Sequence, residues 1–219
     1  MDIIDGHDRI CLVMAHPDDE TMFFTPTLLT LRELLVDFEK QVHIVCFTNG
    51  NNQGLGKLRE EELNKCLSTL YGISGNTQVV IYDRPEFRDG TKYMWDVSLM
   101  TKLLTDYCRE RKIDWLFTFD RDGVSHHSNH KACWRTCADV LDRGGLVKIK
   151  GAFQLTSLPL IVKYTGIVGT VLWILCRQLL GTREHIFLVR PCYLQMFKGM
   201  HCHKSQLTWY RVLFVLFSV

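Results

Sequence analysis

Four short, almost wholly apolar runs, separated by amphipathic stretches, constrain this chain more than any other feature. The first covers residues 9–15 and includes Ile10-Cys11-Leu12-Val13-Met14; residues 42–47, 79–82 and 115–119 repeat the pattern. Between them, residues 21–38 place Leu28, Leu31, Leu35 and Phe38 at helical spacing, and residues 57–71 place Leu63, Cys66, Leu67 and Leu70 on one face. Residues 96–111 and 128–142 read as two more helices, the last stopping before Gly144-Gly145. Strands without polar alternation are covered on both faces. The pattern therefore predicts an α/β, Rossmann-like, mainly parallel sheet with helices on both faces. In the common strand order 3-2-1-4-5, the first and fourth strands are neighbours. Sites in such sheets form at the carboxyl ends of strands where the order reverses.

The 219 residues suit one domain with a substantial core, and 47% hydrophobic with 23% charged residues excludes disorder and a bundle of membrane spans. A net charge of +2 conceals a split. Residues 1–147 carry 17 Lys/Arg against 23 Asp/Glu, whereas residues 148–219 carry 9 against the single acid Glu184. Residues 1–147 are expected to form the catalytic core, and 148–219 a basic, apolar part of the same domain suited to an anionic membrane surface. Within it, Lys150 to Leu155 and His185 to Val189 read as strands, and Tyr193 to Arg211 is expected to contain a helix. Leu158 to Leu180 is strongly apolar, with a charge-free run of 13 residues from Tyr164 to Cys176. A full membrane span needs about 20 apolar residues. The first expectation is therefore a buried core helix or hairpin, ahead of an element that dips into a lipid surface.

Nine cysteines without a C-x-x-C pair point to reduced core thiols, not a cysteine zinc site. Asp2, Asp5 and Asp8 stand where a secretory signal would carry apolar residues, so none is expected. The excess positive charge accompanies apolar sequence, which argues against nucleic-acid binding. The first turn lacks G-x-G-x-x-G, which argues against a dinucleotide site. Nothing in the sequence determines the oligomeric state.

Two clusters carry chemistry, and both follow buried strands. Ala15-His16-Pro17-Asp18-Asp19-Glu20 follows the first, and His126-His127-Ser128-Asn129-His130 comes after the fourth. Each has an ordinary reading alone: carboxylates suit a helix start, and histidines are common on surfaces. Together they match a catalytic zinc centre, which takes three protein ligands from His and carboxylate and leaves one position for water. His16, Asp19 and His130 can supply that set, though Fe²⁺ or Mn²⁺ suits the same donors. Asp18 is then placed as general base, and His127 as oxyanion stabiliser or proton donor to a leaving amine.

A-H-P-D-D-E at 15–20 followed by H-x-x-H at 127–130 resembles the zinc-dependent LmbE-like (PIG-L) de-N-acetylases, especially their eukaryotic branch. Supporting stretches are Met22 to Thr27, Gly123-Val124-Ser125 and Cys202 to Leu207. The resemblance implies the same zinc ligands, His16, Asp19 and His130, with Asp18 as base and His127 supporting the transition state. Arg59, in a stretch similar to the family's R-x-x-E-L helix, and His203, in one similar to its H-x-S-Q motif, are the implied substrate-binding residues. The implied substrate is N-acetylglucosaminyl-phosphatidylinositol, deacetylated in GPI-anchor synthesis at the cytosolic face of the endoplasmic reticulum membrane. Two departures stand out: Ser128-Asn129 replaces Pro-Asp in H-P-D-H, and His126 occupies a position where glycine is common. The rival readings are a soluble deacetylase of GlcNAc glycosides and a catalytically silent member that binds sugar lipid.

Overall fold

The apolar runs pair as expected. A computed structural model describes residues 3–73, 78–90, 92–143, 148–159, 162, 165–179 and 192–217. Strands β1 (Ile10–Met14), β2 (Val42–Cys46), β3 (Val79–Ile81), β4 (Trp115–Phe119) and β5 (Gly151–Leu155) form one parallel sheet in the order β3-β2-β1-β4-β5. Ile10 lies opposite both Val42 and Trp115, so β1 sits centrally between β2 and β4. Every residue of β1, β2 and β4 is buried, which explains their lack of polar alternation. The reversal of strand order falls between β1 and β4.

The predicted helix over 21–38 is broken into three pieces: α1 (Asp19–Met22), α2 (Thr25–Leu34) and α3 (Phe38–Gln41). Pro26 is the cause of the first break. It lacks an N–H and its ring would clash with the carbonyl four residues back, yet it fits the first turn of α2. α4 (Gly56–Cys66) runs on through a π-helical turn, Leu67–Tyr71, and stops at Gly72. α5 (Val97–Arg111) starts where Asp96 accepts a hydrogen bond from the Leu99 N–H, 3.0 Å away. A short α6 (Gly123–His126) precedes α7 (Ser128–Asp142).

The basic third contributes β5 to the sheet and then α8 (Gly166–Leu179), α9 (Tyr193–Cys202) and α10 (Trp209–Phe217). The proposed strand His185 to Val189 lies outside the described residues. The expectation of a buried core helix in 158–180 is corrected: Val168, Val171, Leu172, Leu175 and Leu179 of α8 are all exposed. A core position needs neighbours on the apolar face, and these side chains meet solvent instead. No described helix is long and apolar enough to cross a membrane. α9 and α10 build a small second core from Met22, Cys192, Met196, Met200 and Val215, beside the main one.

Candidate metal centre

Three residues bracketed by the β1 and β4 carboxyl ends meet at one point. Pro17-Asp18 turns the chain directly after β1, and the Asp19 Oδ2 accepts hydrogen bonds from the Ala15 and His16 N–H groups at 3.0 and 2.8 Å. That leaves Asp19 Oδ1 3.3 Å from His130 Nε2, while Oδ2 lies 3.7 Å from His16 Nδ1. One donor atom from each of His16, Asp19 and His130 falls within 4.8 Å of the others, and all three residues are buried. His130 Nδ1 is 3.1 Å from the Gly123 carbonyl, and the Phe119 ring stacks on the imidazole at 3.9 Å. A backbone acceptor at Nδ1 keeps the ring proton there and frees Nε2 as a ligand. The two imidazoles with one carboxylate fit the donor class of a catalytic divalent metal.

The loop that carries His127 and His130 is strained. Val124 and His126 adopt φ of 59° and 58°, a region costly for side chains with a Cβ. Gly123, at φ 66°, also passes so close that a Cβ there would stand 3.0 Å from His130 Cβ. Asp120 secures the turn, accepting from Asp122 N, Gly123 N, Ser157 N and Ser157 Oγ. The left-handed conformation at His126 accounts for glycine suiting that position, and its ring is exposed.

Charge around the donors is arranged unevenly. Burial pushes Asp19 up, but His130 and His16 outweigh it and hold Asp19 well below the ordinary carboxylate range. Burial likewise opposes charge on His16, yet Asp19 and Asp89 raise it to about 9. Asp89 was missed in the sequence because it lies in an irregular polar stretch without periodicity. Its Oδ1 sits 3.1 Å from His16 Nε2, and its Oδ2 3.6 Å from Arg59 Nη1. Asn129, the residue at the departure from H-P-D-H, places Nδ2 3.0 Å from the same His16 nitrogen.

Asp18 faces a different set. Its backbone has φ 124°, and its carbonyl accepts from Met22 N at 2.8 Å and Thr21 N at 3.1 Å. Arg59 Nη2 lies 3.4 Å from Oδ1 and Arg211 Nη1 2.7 Å from Oδ2. Burial nonetheless wins over both cations and raises Asp18 above its usual value. His127 accepts from the Asn129 N–H at 3.3 Å through Nδ1. Partial burial, then the neighbouring His16 and His130, lower it to about 4, so its ring is neutral at pH 7 with the proton on Nε2.

The remaining two predicted residues support these from behind. Arg59 is buried, donating to the Gly50 and Pro17 carbonyls at 3.0 and 2.8 Å. Gly50, at φ 72°, admits it, since a Cβ there would overlap the guanidinium. His203 is fully buried, with Nε2 2.6 Å from Glu20 Oε1, and Glu20 Oε2 accepts from the Asp18 N–H at 3.1 Å. Burial disfavours the His203 cation, but Glu20 reverses this and the net shift is upward. Glu20, Cys66 and His203 form a second buried donor group. Glu20 meets His203 Nε2 and accepts from Thr21 Oγ1, which lies 3.3 Å from Cys66 Sγ, while His203 Nδ1 is buried without a hydrogen-bond partner among the described residues.

A parallel α/β sheet with a buried His₂-carboxylate group at its switch point has the donor set and the location suited to a hydrolytic metal site. The chain belongs to the PIG-L family: the profile described as GlcNAc-PI de-N-acetylase matches residues 11–141. It is 35% identical over 213 residues to the N-acetylglucosaminyl-phosphatidylinositol de-N-acetylase of Bos taurus, covering 97% of this chain and 80% of the relative. It is 32% identical over 213 residues to the probable counterpart in Schizosaccharomyces pombe, covering 93% and 80%. The N,N'-diacetylchitobiose deacetylase of Pyrococcus horikoshii shares the fold, with a TM-score of 0.60 at 17% identity over 93% of this chain and 72% of that one.

Proposed function

We propose that this protein hydrolyses the N-acetyl group of N-acetylglucosaminyl-phosphatidylinositol, the second step of GPI-anchor biosynthesis, with zinc held by His16, Asp19 and His130. One observation carries the reading: the donor atoms of those residues converge within 4.8 Å, with Asp18 adjacent, in a chain of this family. When bound, a divalent ion supplies Lewis-acid polarisation of the amide carbonyl and acidifies water at the site. Water adds to the acetyl carbon, the C–N bond breaks, and acetate and a free amine leave. Asp18 takes the proton from water as it adds and passes it to the nitrogen as the C–N bond breaks. Its Oδ2 is buried and lacks a hydrogen bond, and its raised pKa suits a base more than an ordinary exposed carboxylate would. His127, neutral with its proton on Nε2, donates to the developing oxyanion. Arg59 braces Asp18 from within, and Glu20 with His203 fixes the backbone N–H of Asp18.

The substrate is an anionic lipid, so the enzyme works on a membrane surface, at the cytosolic face of the endoplasmic reticulum. The exposed apolar residues of α8, α9 and α10, together with the cationic excess of residues 148–219, supply that contact. The test is acetate release from N-acetylglucosaminyl-phosphatidylinositol by metal-analysed protein. Asp18→Asn is expected to keep its metal and lose about 10²- to 10⁴-fold in kcat. His16→Ala is expected to lose metal and turnover together. Undiminished turnover in Asp18→Asn would remove its assignment as base.

A further inference from the structure

Two guanidinium groups touch Asp18, and they are not equivalent. Arg59 has a side chain only 6% exposed, and both of its terminal nitrogens are spent on the Gly50 and Pro17 carbonyls. Arg211 is 22% exposed and is the single charged residue of α10. Its contacts with Gln206 O at 3.0 Å, Gln206 Oε1 at 2.9 Å and Asp18 Oδ2 at 2.7 Å are all made through Nη1. Nη2 and Nε have no protein partner among the described residues. The contact with Asp18 is a charge contact without hydrogen-bond alignment, since Oδ2 has no hydrogen-bond partner. Half of a rigid, planar donor fork is therefore uncommitted beside the proposed base.

We propose that Arg211 binds the phosphate of the substrate through the free half of its fork, which makes the enzyme selective for GlcNAc joined to phosphoinositol. This rests on the substrate reading above. In that substrate the phosphate is carried by the inositol ring next to the GlcNAc. With the acetamide held between Asp18 and the metal ligands, the anion lies one ring further out, within reach of a long side chain on the more exposed side of Asp18. Guanidinium matches phosphate with two parallel N–H donors, and it stays charged at all relevant pH. The placement on α10 has a second consequence. Trp209, Tyr210 and Leu213 are exposed, whereas Val215 is buried and Phe214 packs against Phe23 at 5.5 Å between rings. One helix thus turns aromatic side chains outward, suited to a lipid–water interface, and its cation inward to the site.

The test compares three substrates on purified, metal-loaded full chain: the lipid in detergent micelles, acyl-free GlcNAc-phosphoinositol, and GlcNAc-inositol without phosphate. Wild type is expected to favour GlcNAc-phosphoinositol over GlcNAc-inositol by about tenfold or more in kcat/KM. Arg211→Gln is expected to shrink the kcat/KM preference for GlcNAc-phosphoinositol over GlcNAc-inositol by about tenfold or more, with KM for both phosphorylated substrates raised; this ratio cancels any change the variant makes to Asp18 for all substrates alike. Arg211→Lys, a point charge without a fork, is expected to keep an intermediate preference. A wild type indifferent to phosphate overturns the inference without any variant. So does an Arg211→Gln protein that melts normally and loses all three substrates equally, because that marks a clamp on Asp18. Should Arg211→Gln fail to fold, an Arg211→Lys protein with undiminished preference overturns recognition by the fork. Acetate released from none of the three overturns the deacetylase reading itself.

Discussion

Asp89 stands 3.1 Å from the outer nitrogen of His16 and 3.6 Å from Arg59, joining the imidazole of a proposed ligand to the guanidinium behind Asp18. A carboxylate on the far nitrogen of a ligating histidine fixes its tautomer and orientation, and its loss typically costs 10- to 100-fold in metal affinity. Asp89→Ala is expected to weaken metal by about that factor in a chelator competition, with the fold intact by circular dichroism. Metal affinity equal to wild type would deny Asp89 this role. At this scale the sequence was informative only where residue types cluster. His16, Asp18, Asp19, His127 and His130 lie in two compact motifs after apolar strands, so each could be named with a role. Asp89 lies in a polar loop where acids are commonplace. Arg211 was legible only as one charge in a greasy segment. Both matter because of what the folded chain brings beside them, more than a hundred residues away in the case of Arg211.

At the scale of elements, the amino ends of three adjacent strands are tied by one carboxylate. Asp8, just before β1, accepts from Trp115 Nε1 at 2.8 Å at the head of β4, from Asp5 N at 2.9 Å, and pairs with Lys150 ahead of β5. Burial raises its pKa, but Lys150, Asp5 and Trp115 outweigh that and the net shift is downward. A depressed folded-state pKa means that the unfolded chain binds the proton more tightly. The resulting stability is present above the ordinary value of 3.8 and is lost as pH falls through the folded value. Thermal melts are expected to fall below pH 4 in wild type. Asp8→Asn, already without the charge, should melt lower at neutral pH and show a shallower acid decline. Parallel melting curves of the two proteins across that range would contradict the assignment. The helix boundaries teach a related lesson. Residues 128–142 form α7 as read, because nothing in that stretch opposes its periodicity. Residues 21–38 do not form one helix, and Pro26 accounts for the break before α2 whatever the spacing of the leucines.

For the whole molecule, the division of charge follows the chain: the acidic first two-thirds brings His16, Asp19 and His130 together, and the basic remainder adds β5 to the sheet edge and, through Arg211 of α10, reaches Asp18. Exposed Leu194, Phe197, Trp209 and Leu213 on those helices, beside Lys198 and Lys204, form a surface suited to anionic lipid. Co-sedimentation with vesicles containing phosphatidylinositol is expected at low salt. It should weaken as ionic strength rises from about 0.01 to 1 M, because the screening length falls from about 30 to 3 Å. Equal binding to neutral vesicles at both salts would leave the cationic excess without a part in it.

Sequence alone pointed to the parallel sheet and to the two clusters of candidate metal donors, because burial on both faces requires continuous apolar runs and metal chemistry requires particular donor types; the strand order it could only assume as the common one. Only the tertiary structure decided that α8 turns its apolar side chains to solvent, that Asp89 meets His16, and that Arg211 reaches Asp18. Those are matters of which surfaces and charges remain uncovered once the chain has packed, and no local pattern of residues records them.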